Sequence, residues 1–199
     1  MRKLLPKYSR KHNNLHMDEQ LEFFKQIASR LDSAGIPYMM TGSMAMAIYA
    51  TPRMTRDIDL IVEIELIDVE KIVKLFADDC YVDKASVRQA VHDRGIFNII
   101  HNDWLIKADF IVRKDEDYRL KEFSRRRIID IEGSAIAIVA PEDLILSKLI
   151  WGKRSQSELQ LRDVKQMIVA MSELDHAYLQ KWATILGVDD LLKKAKENE

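Results

Sequence analysis

The chain has 199 residues, 47% hydrophobic and 32% charged, which is enough for one sizeable core or a core with a small appended bundle. The 31 basic and 32 acidic residues nearly cancel, so a net charge of −1 gives no global field for attracting nucleic acid. The single cysteine excludes an internal disulfide, and no Cys/His cluster is spaced for zinc.

No apolar run in the sequence reaches the ~18 residues of a membrane span. The N-terminus is basic but lacks the apolar stretch that follows such residues in a signal peptide. We therefore expect a cytoplasmic protein with no membrane partner.

Helical and strand patterns alternate through the first half of the chain. We expect a loose arm over residues 1–16 and a helix over 18–34, which Gly35 and Pro37 end. The pattern then predicts, in order, a strand over 37–41, a helix over 42–50, a strand over 57–64, and helices over 68–79 and 84–93.

Strands continue up to about residue 140, and only helices follow. The predicted order is strands over 96–101 and 104–112 joined by a hairpin-like turn, a helix over 116–123, and strands over 127–131 and 135–139. The helices that follow are predicted over 142–152, 156–173, 175–186 and 189–196. The pattern indicates an α/β (α+β) core over residues 17–140 and a C-terminal helical part over 141–199.

Two aspartates stand in an apolar run that is typical of a buried strand. Because a strand alternates its faces, Asp57 and Asp59 point the same way. Two such carboxylates repel each other and are costly to desolvate, so a cation should compensate them. Asp109 recurs in the apolar run 104–112, and three carboxylates on neighbouring strands would suit two Mg²⁺ ions.

A Gly-Ser turn precedes the helix predicted over 42–50. Gly42 would let the backbone approach a ligand closely, and the helix N-terminus with the Ser43 hydroxyl could bind phosphate. The alternative is that Gly42 only turns the chain and Ser43 only caps the helix. The turn is not a P-loop, because the Gly-Lys-Ser/Thr ending is missing.

These motifs in order resemble a known family. Gly42-Ser43, then Arg53-x-Thr55-x-Asp57-Ile58-Asp59-Leu60, then a later strand aspartate, are similar to the nucleotidyltransferase fold of the DNA polymerase beta-like superfamily. The closer resemblance is to AbiEii-type and related stand-alone bacterial nucleotidyltransferases. Their Pro-Glu-Asp-Leu-Ile, Lys-Leu and Arg-Asp motifs are similar to the segments 141–145, 148–149 and 162–163.

The resemblance implies a small mixed sheet with flanking helices, followed by a C-terminal helical bundle. It implies that Asp57, Asp59 and Asp109 bind Mg²⁺ and carry the catalysis, with Asp109 bridging metal or helping to deprotonate the acceptor. The residues that it assigns to the nucleoside triphosphate are Gly42, Ser43, Lys148, Asp163 and Arg53. Without the resemblance, Lys148 could equally be a solvated helix lysine and Arg53 a rim charge.

The activity implied is Mg²⁺-dependent transfer of a nucleoside monophosphate from a triphosphate to an acceptor. The acceptor stays open between an RNA end such as tRNA, a protein and a small alcohol, and a toxin–antitoxin or phage-defence role with a partner protein is also open. Two other interpretations remain: a non-catalytic nucleotide-binding or antitoxin module on the same fold, and a metal-dependent phosphohydrolase. Five basic residues within 119–127 could contact RNA, although a solvated face is the more frequent cause of such a run.

Overall fold

The computed structural model describes residues 8–51 and 57–197, and only the backbone over 8–17. The elements of these residues, in chain order, are α1 (Tyr8–Ser33), β1 (Tyr38–Met40), α2 (Gly42–Tyr49), β2 (Asp57–Val62), α3 (Val69–Phe76), β3 (Cys80–Val82), α4 (Lys84–Asp93), β4 (Ile96–His101), β5 (Lys107–Val112), α5 (Asp117–Ser124), β6 (Arg127–Ile131), β7 (Ser134–Ile138), α6 (Pro141–Ser155), α7 (Glu158–Ala170), α8 (His176–Ile185) and α9 (Asp189–Lys196).

The strands of the described residues form one seven-stranded mixed sheet in the order β3-β4-β5-β2-β1-β7-β6. β2 runs parallel to β5 and antiparallel to β1, and β4 runs antiparallel to β5. The hairpin β6–β7 extends the other side, where β7 pairs parallel with β1. The predicted fold class, a mixed sheet with flanking helices followed by a helical part, is confirmed.

The two faces of the sheet differ because side chains alternate along each strand. Ile58, Leu60 and Val62 of β2 are completely buried, as are Ala108 and Phe110 of β5. The alternate residues of the same strands lie on the other face, where Asp57 and Asp59 are only half-buried. One face thus packs in the core, and the other, called the open face below, carries the aspartates together with Ile61 of β2.

Helix α1 begins at Tyr8, so residues 8–16, which the sequence predicts to be a loose arm, are helical in the structure. The physical reason is that residues 7–34 contain no glycine or proline to interrupt a helix. Residues 1–7 of the predicted arm lie outside the described residues. The apolar stripe Phe23, Phe24, Ile27 and Leu31 is fully buried against the core.

Two strand predictions need correction. The strand predicted over 104–112 begins only at Lys107. Trp104 belongs to the preceding turn and stacks on His101 at the end of β4, with 4.1 Å between ring centroids, and Leu105 has φ 53°. Strand β3 was not predicted at all. Its three residues pair with the end of β4, and a segment this short leaves no readable alternation.

The helices after residue 140 pack on the sheet and on one another. Pro141 occupies the first turn of α6, where its missing N–H costs no hydrogen bond. The first nine residues of α6 are all buried. Within residues 8–51 and 57–197, no helix combines the length and apolar character needed to cross a membrane.

Candidate active site

Side chains on the open face stand in rows, because the pairing register decides which residues lie opposite one another. Adjacent strands lie about 4.8 Å apart, so neighbours in a row are in close range. The rows are Asp57 with Lys107; Asp59 with Asp109 and Asn98; and Ile61 with Ile111 and Ile96. The structure therefore brings the three predicted carboxylates together on one face.

Asp59 lies directly against Gly42. The chain turns there from β1 into α2 with a glycine φ of 66°, and Thr41 N–H donates to the Asp59 carbonyl oxygen at 2.9 Å. A Cβ added to Gly42 would lie 2.7 Å from Cγ and 2.8 Å from Cβ of Asp59, and closer still to Oδ2. Only glycine fits both the conformation and the space.

The pKa of the Asp59 carboxyl is raised to about 6. The main cause is burial, followed by the negative charges of Asp109 and Asp57. Lys148 and Lys107 act in the opposite direction but do not offset these effects. Burial and the two neighbouring carboxylates therefore disfavour the charged form of Asp59, and a bound cation would favour it.

Asp109 already uses both carboxylate oxygens. Oδ1 accepts a hydrogen bond from the Asn98 amide, and Oδ2 accepts one from Lys107 Nζ at 2.9 Å. The same ammonium lies 3.7 Å from Asp57 Oδ1. In the part of the chain that the structure describes, no group of three His, Cys, Asp or Glu side chains is arranged to hold a metal ion.

Helix α6 directs Lys148 toward this site. Lys148 is 5% exposed, and its Nζ lies 2.8 Å from Oδ2 of Asp163, which belongs to α7 and is 1% exposed. The amide oxygen of Gln160 lies 3.4 Å from the same Nζ. The alternative of a solvated helix lysine is wrong, because Lys148 is buried in an ion pair.

A cavity of about 570 Å³ lies between the open face of the sheet and α6. It runs from Gly42, Ser43 and Asp59 past Ile61 and Ile111. One side of α6 forms its wall, through residues that recur with the helical period: Leu144, Ser147, Lys148, Trp151 and Arg154. The lining is thus mixed, because it also includes charged residues such as Arg94, Arg113, Lys114 and Arg119.

The predicted site residues occupy different positions relative to this cavity. Gly42, Ser43, Asp59 and Lys148 line it. Asp57 and Asp109 are beside Asp59 on the same face but outside the lining.

Asp163 is also outside the lining. It pairs with Lys148, so this predicted nucleotide-binding residue reaches the cavity only through Lys148. Arg53 lies outside the described residues.

Sequence reasoning missed three residues that shape the site. Lys107 stands two positions before Asp109, so the alternation of a strand could have placed it on the same face. Trp151 stands three positions after Lys148, which is neighbour spacing on a helix. Asn98 gave no signal, because only the pairing of β4 with β5 brings it to Asp109.

The basic run over residues 119–127 is not a solvated face throughout, because two of its arginines form internal ion pairs. Arg119 pairs with the buried Glu122 at 2.7 Å, and Arg125 pairs with the buried Asp143 at 2.9 Å. Arg126 lies over the ring of Phe123, 4.5 Å from its centroid. The interpretation as a solvated face is wrong for Arg119 and Arg125, whose charges serve internal pairs.

Comparison with solved structures identifies the fold. An antigenic nucleotidyltransferase-like protein from Paracoccidioides brasiliensis is 19% identical with a TM-score of 0.57, covering 89% of this chain and 92% of that one. The antibiotic-resistance factor ANT(2″)-Ia is 15% identical with a TM-score of 0.55, covering 89% and 92%. A candidate nucleotidyltransferase from Thermotoga maritima is 17% identical with a TM-score of 0.50, covering 73% and 92%.

No protein-family model matches the chain, and no curated protein matches it in sequence. The structural likeness nevertheless extends over most of both chains in each pair. The chain therefore has the nucleotidyltransferase fold, as its motifs indicate.

Proposed function

We propose that this protein is a Mg²⁺-dependent nucleotidyltransferase that moves a nucleoside monophosphate from a nucleoside triphosphate to an acceptor. One observation carries the proposal: Asp59, in a row of carboxylates on the open face, lies against Gly42 at the N-terminus of α2. The proposed metal ligand and the proposed phosphate-binding turn are thus in contact within one cavity wall.

The residues present fit a divalent cation by their chemistry. The donors Asp57, Asp59 and Asp109 are all carboxylate oxygens, which Mg²⁺ prefers. The pKa of Asp59 is raised chiefly by burial and further by the charges of Asp109 and Asp57, and a bound cation would favour its charged form. When bound, the ion would neutralise charge on the triphosphate and on the leaving pyrophosphate.

The phosphate groups would lie at the polar end of the cavity. The first N–H groups of a helix have no acceptor within that helix, so those of α2 can bind phosphate oxygens together with the Ser43 hydroxyl. Lys148 would add positive charge from the facing wall, and Asp163 would hold Lys148 in place. We also assign Arg53 to phosphate contact, because it lies four residues before Asp57 in the same sequence motif.

The transfer itself is an in-line displacement at the α-phosphorus. An acceptor oxygen forms a bond to phosphorus while the bond to the bridging oxygen breaks, and pyrophosphate leaves with that electron pair. We assign Asp109 as the carboxylate that helps to remove the acceptor proton. Positioning and charge stabilisation would supply most of the rate.

We favour a small-molecule acceptor over a polyanion. Next to Asp59 the lining includes the apolar Ile61 and Ile111. Arginines that also line the cavity, Arg94, Arg113 and Arg119, are each paired with a carboxylate of this chain. The structurally similar ANT(2″)-Ia is an antibiotic-resistance factor, which agrees with a small-molecule acceptor. Acceptance by RNA or protein, and an AbiEii-type toxin–antitoxin role, remain the alternatives.

Transfer of label tests the proposal. The protein is incubated with Mg²⁺, triphosphates labelled at the α-phosphorus, and small alcohols, RNA or protein as acceptors. We expect label on an acceptor with the wild type and none with the double variant Asp57→Ala, Asp59→Ala. Full activity in the double variant would refute the assignment of the site.

A non-catalytic nucleotide-binding module is the second candidate. It is favoured by one observation: both oxygens of Asp109 are already hydrogen-bonded to Asn98 and Lys107. Calorimetry that shows Mg²⁺-dependent triphosphate binding, with no turnover on any acceptor, would support this candidate over the enzyme.

A further inference from the structure

Lys107 occupies a position inside the row of carboxylates. Lys107 belongs to β5, where it is paired with Asp57 of β2 and lies two positions before Asp109. Its side chain therefore lies between the two acids. Its Nζ lies 2.9 Å from Asp109 Oδ2 and 3.7 Å from Asp57 Oδ1. A single ammonium thus bridges two carboxylates of neighbouring strands.

This bridge lies where a metal ion would compete with it. Two divalent ions in a nucleotidyl-transfer site are about 3.5–4 Å apart and share carboxylates. An ammonium in contact with Asp109 and near Asp57 repels any divalent ion at the same carboxylates. Lys148, in contrast, approaches from α6 and is held by Asp163, so it does not take part in this bridge.

Asn98 holds the Asp109 carboxylate from the side opposite Lys107. Its amide donates to Oδ1, while Lys107 donates to Oδ2, so Asp109 is oriented along the row by two neighbours. Releasing Asp109 to a metal would require the loss of a charge-assisted hydrogen bond. Asp59 takes no part in these contacts with Lys107 and Asn98, so a metal can reach it with less rearrangement than Asp109.

We infer that the Lys107 ammonium takes the place of one of the two divalent ions that the sequence predicts, so that the site binds a single ion with its triphosphate. The inference rests on the proposed function and specifies its metal requirement. Lys107 is then a positioning residue: it supplies one fixed positive charge to Asp57 and Asp109. The other charge comes from the ion that accompanies the triphosphate.

The number of bound ions tests the inference directly. Mn²⁺ replaces Mg²⁺, and free Mn²⁺ is measured by electron paramagnetic resonance during titration of the full chain with an α,β-methylene triphosphate. The nucleotide is kept below the protein concentration so that all of it is bound. We expect one Mn²⁺ per bound nucleotide in the wild type and two in Lys107→Met.

The second ion should bind Lys107→Met at least about tenfold more tightly than the wild type, because a positive charge at about 4 Å is removed. Lys107→Gln serves as a second neutral variant with a polar side chain, and Lys107→Arg should keep one ion because it keeps the charge. Lys121→Met removes an exposed lysine of α5 and should behave as the wild type.

The outcomes distinguish a failure of the role inferred for Lys107 from a failure of the proposed function. Two ions in the wild type, or equal numbers in the wild type and both neutral variants, would overturn the role of Lys107 and leave the proposed function standing. No Mn²⁺ uptake by any of the proteins, with or without the triphosphate, would overturn the proposed function as well.

Discussion

At Gly42 the Asp59 side chain fills the space that a Cβ would occupy. Gly42→Ala would strain a φ of 66° and force a methyl group into Asp59. We expect a loss of about 2–4 kcal/mol in the free energy of unfolding, from strain and overpacking together. Affinity for Mg²⁺ and triphosphate should fall about tenfold or more, equivalent to roughly 1.4 kcal/mol.

Gly35→Ala provides the matched control. Gly35 has the same φ of 66°, but a Cβ there would meet no atom within 4 Å. We expect a loss of about 1–2 kcal/mol from strain alone and unchanged triphosphate affinity. Urea unfolding and calorimetry measure both quantities, and equal losses in the two variants would show that contact with Asp59 is unimportant.

Asp59 makes stability depend on pH. Its folded pKa of about 6 lies above the unfolded value, so its contribution to stability is present below about pH 4 and is lost as the pH rises through 6. Asp59→Asn removes this loss. We expect the variant to be more stable than the wild type by up to about 3 kcal/mol at pH 7.5, and by almost nothing at pH 4.

Urea unfolding in a chelator at several values between pH 4 and pH 7.5 measures that difference. A gain in the free energy of unfolding that is independent of pH would mean that the carboxyl of Asp59 does not titrate in this range. The same variant should fail to bind a divalent ion with triphosphate, so stability and binding should move in opposite directions.

The sequence could predict the acids of the site but not what holds them. Asp57 and Asp59 interrupt an apolar strand, and Asp109 does the same, so alternation alone puts each on a defined face. Which acid lies opposite which partner depends on the register between β2 and β5. That register arises from long-range packing, and it is the reason that the contacts of Lys107 and Asn98 were not foreseen.

At the scale of elements, the pair Lys148–Asp163 joins α6 to α7. Both side chains are buried, so Lys148→Met leaves a buried carboxylate that has lost its ammonium partner. We expect a loss of about 3–5 kcal/mol in the free energy of unfolding. The double variant Lys148→Met, Asp163→Leu should recover most of this loss, because two apolar side chains replace the ion pair.

The double variant also separates structure from binding. It should be stable but should bind triphosphate more weakly than the wild type, because Lys148 lines the cavity. Urea unfolding gives the stability, and calorimetry with Mg²⁺ and a triphosphate analogue gives the affinity. Wild-type affinity in a stable double variant would show that Lys148 serves only the helix pair.

Elements were predictable where local signals mark their ends. Helix α4 has the predicted bounds, because Asp83 accepts a hydrogen bond from Ser86 N–H at its start and Arg94 adopts the left-handed conformation at its end. The start of β5 was not predictable in this way. There the apolar residues of the turn, Trp104 and Ile106, resemble a strand in sequence.

At the scale of the molecule, buried acids link the α/β part to the C-terminal helices. Asp143 and Glu142 at the start of α6 are almost completely buried, and Arg125 of the preceding segment bonds to both. Tyr178 of α8 donates to Asp143 at 2.6 Å, and Arg125 lies 3.8 Å from the centre of its ring. The Pro-Glu-Asp segment therefore has a clear structural role.

We expect the chain to unfold in one cooperative transition, because one hydrophobic core includes residues from both parts. Arg125→Met should lower the free energy of unfolding by roughly 3 kcal/mol, since two buried carboxylates lose their shared partner. Calorimetry and circular dichroism should show one transition at a lower temperature. Separate transitions for residues 17–140 and 141–199 would instead support two independent units.

The most direct test of the central claim is calorimetric titration of a non-hydrolysable nucleoside triphosphate into the protein, with and without Mg²⁺. We predict binding by the wild type that requires Mg²⁺, and no such binding when Asp57 and Asp59 are both changed to Asn. Triphosphate binding that is equally strong without Mg²⁺ and in the double variant would contradict a nucleotidyltransferase site at these carboxylates.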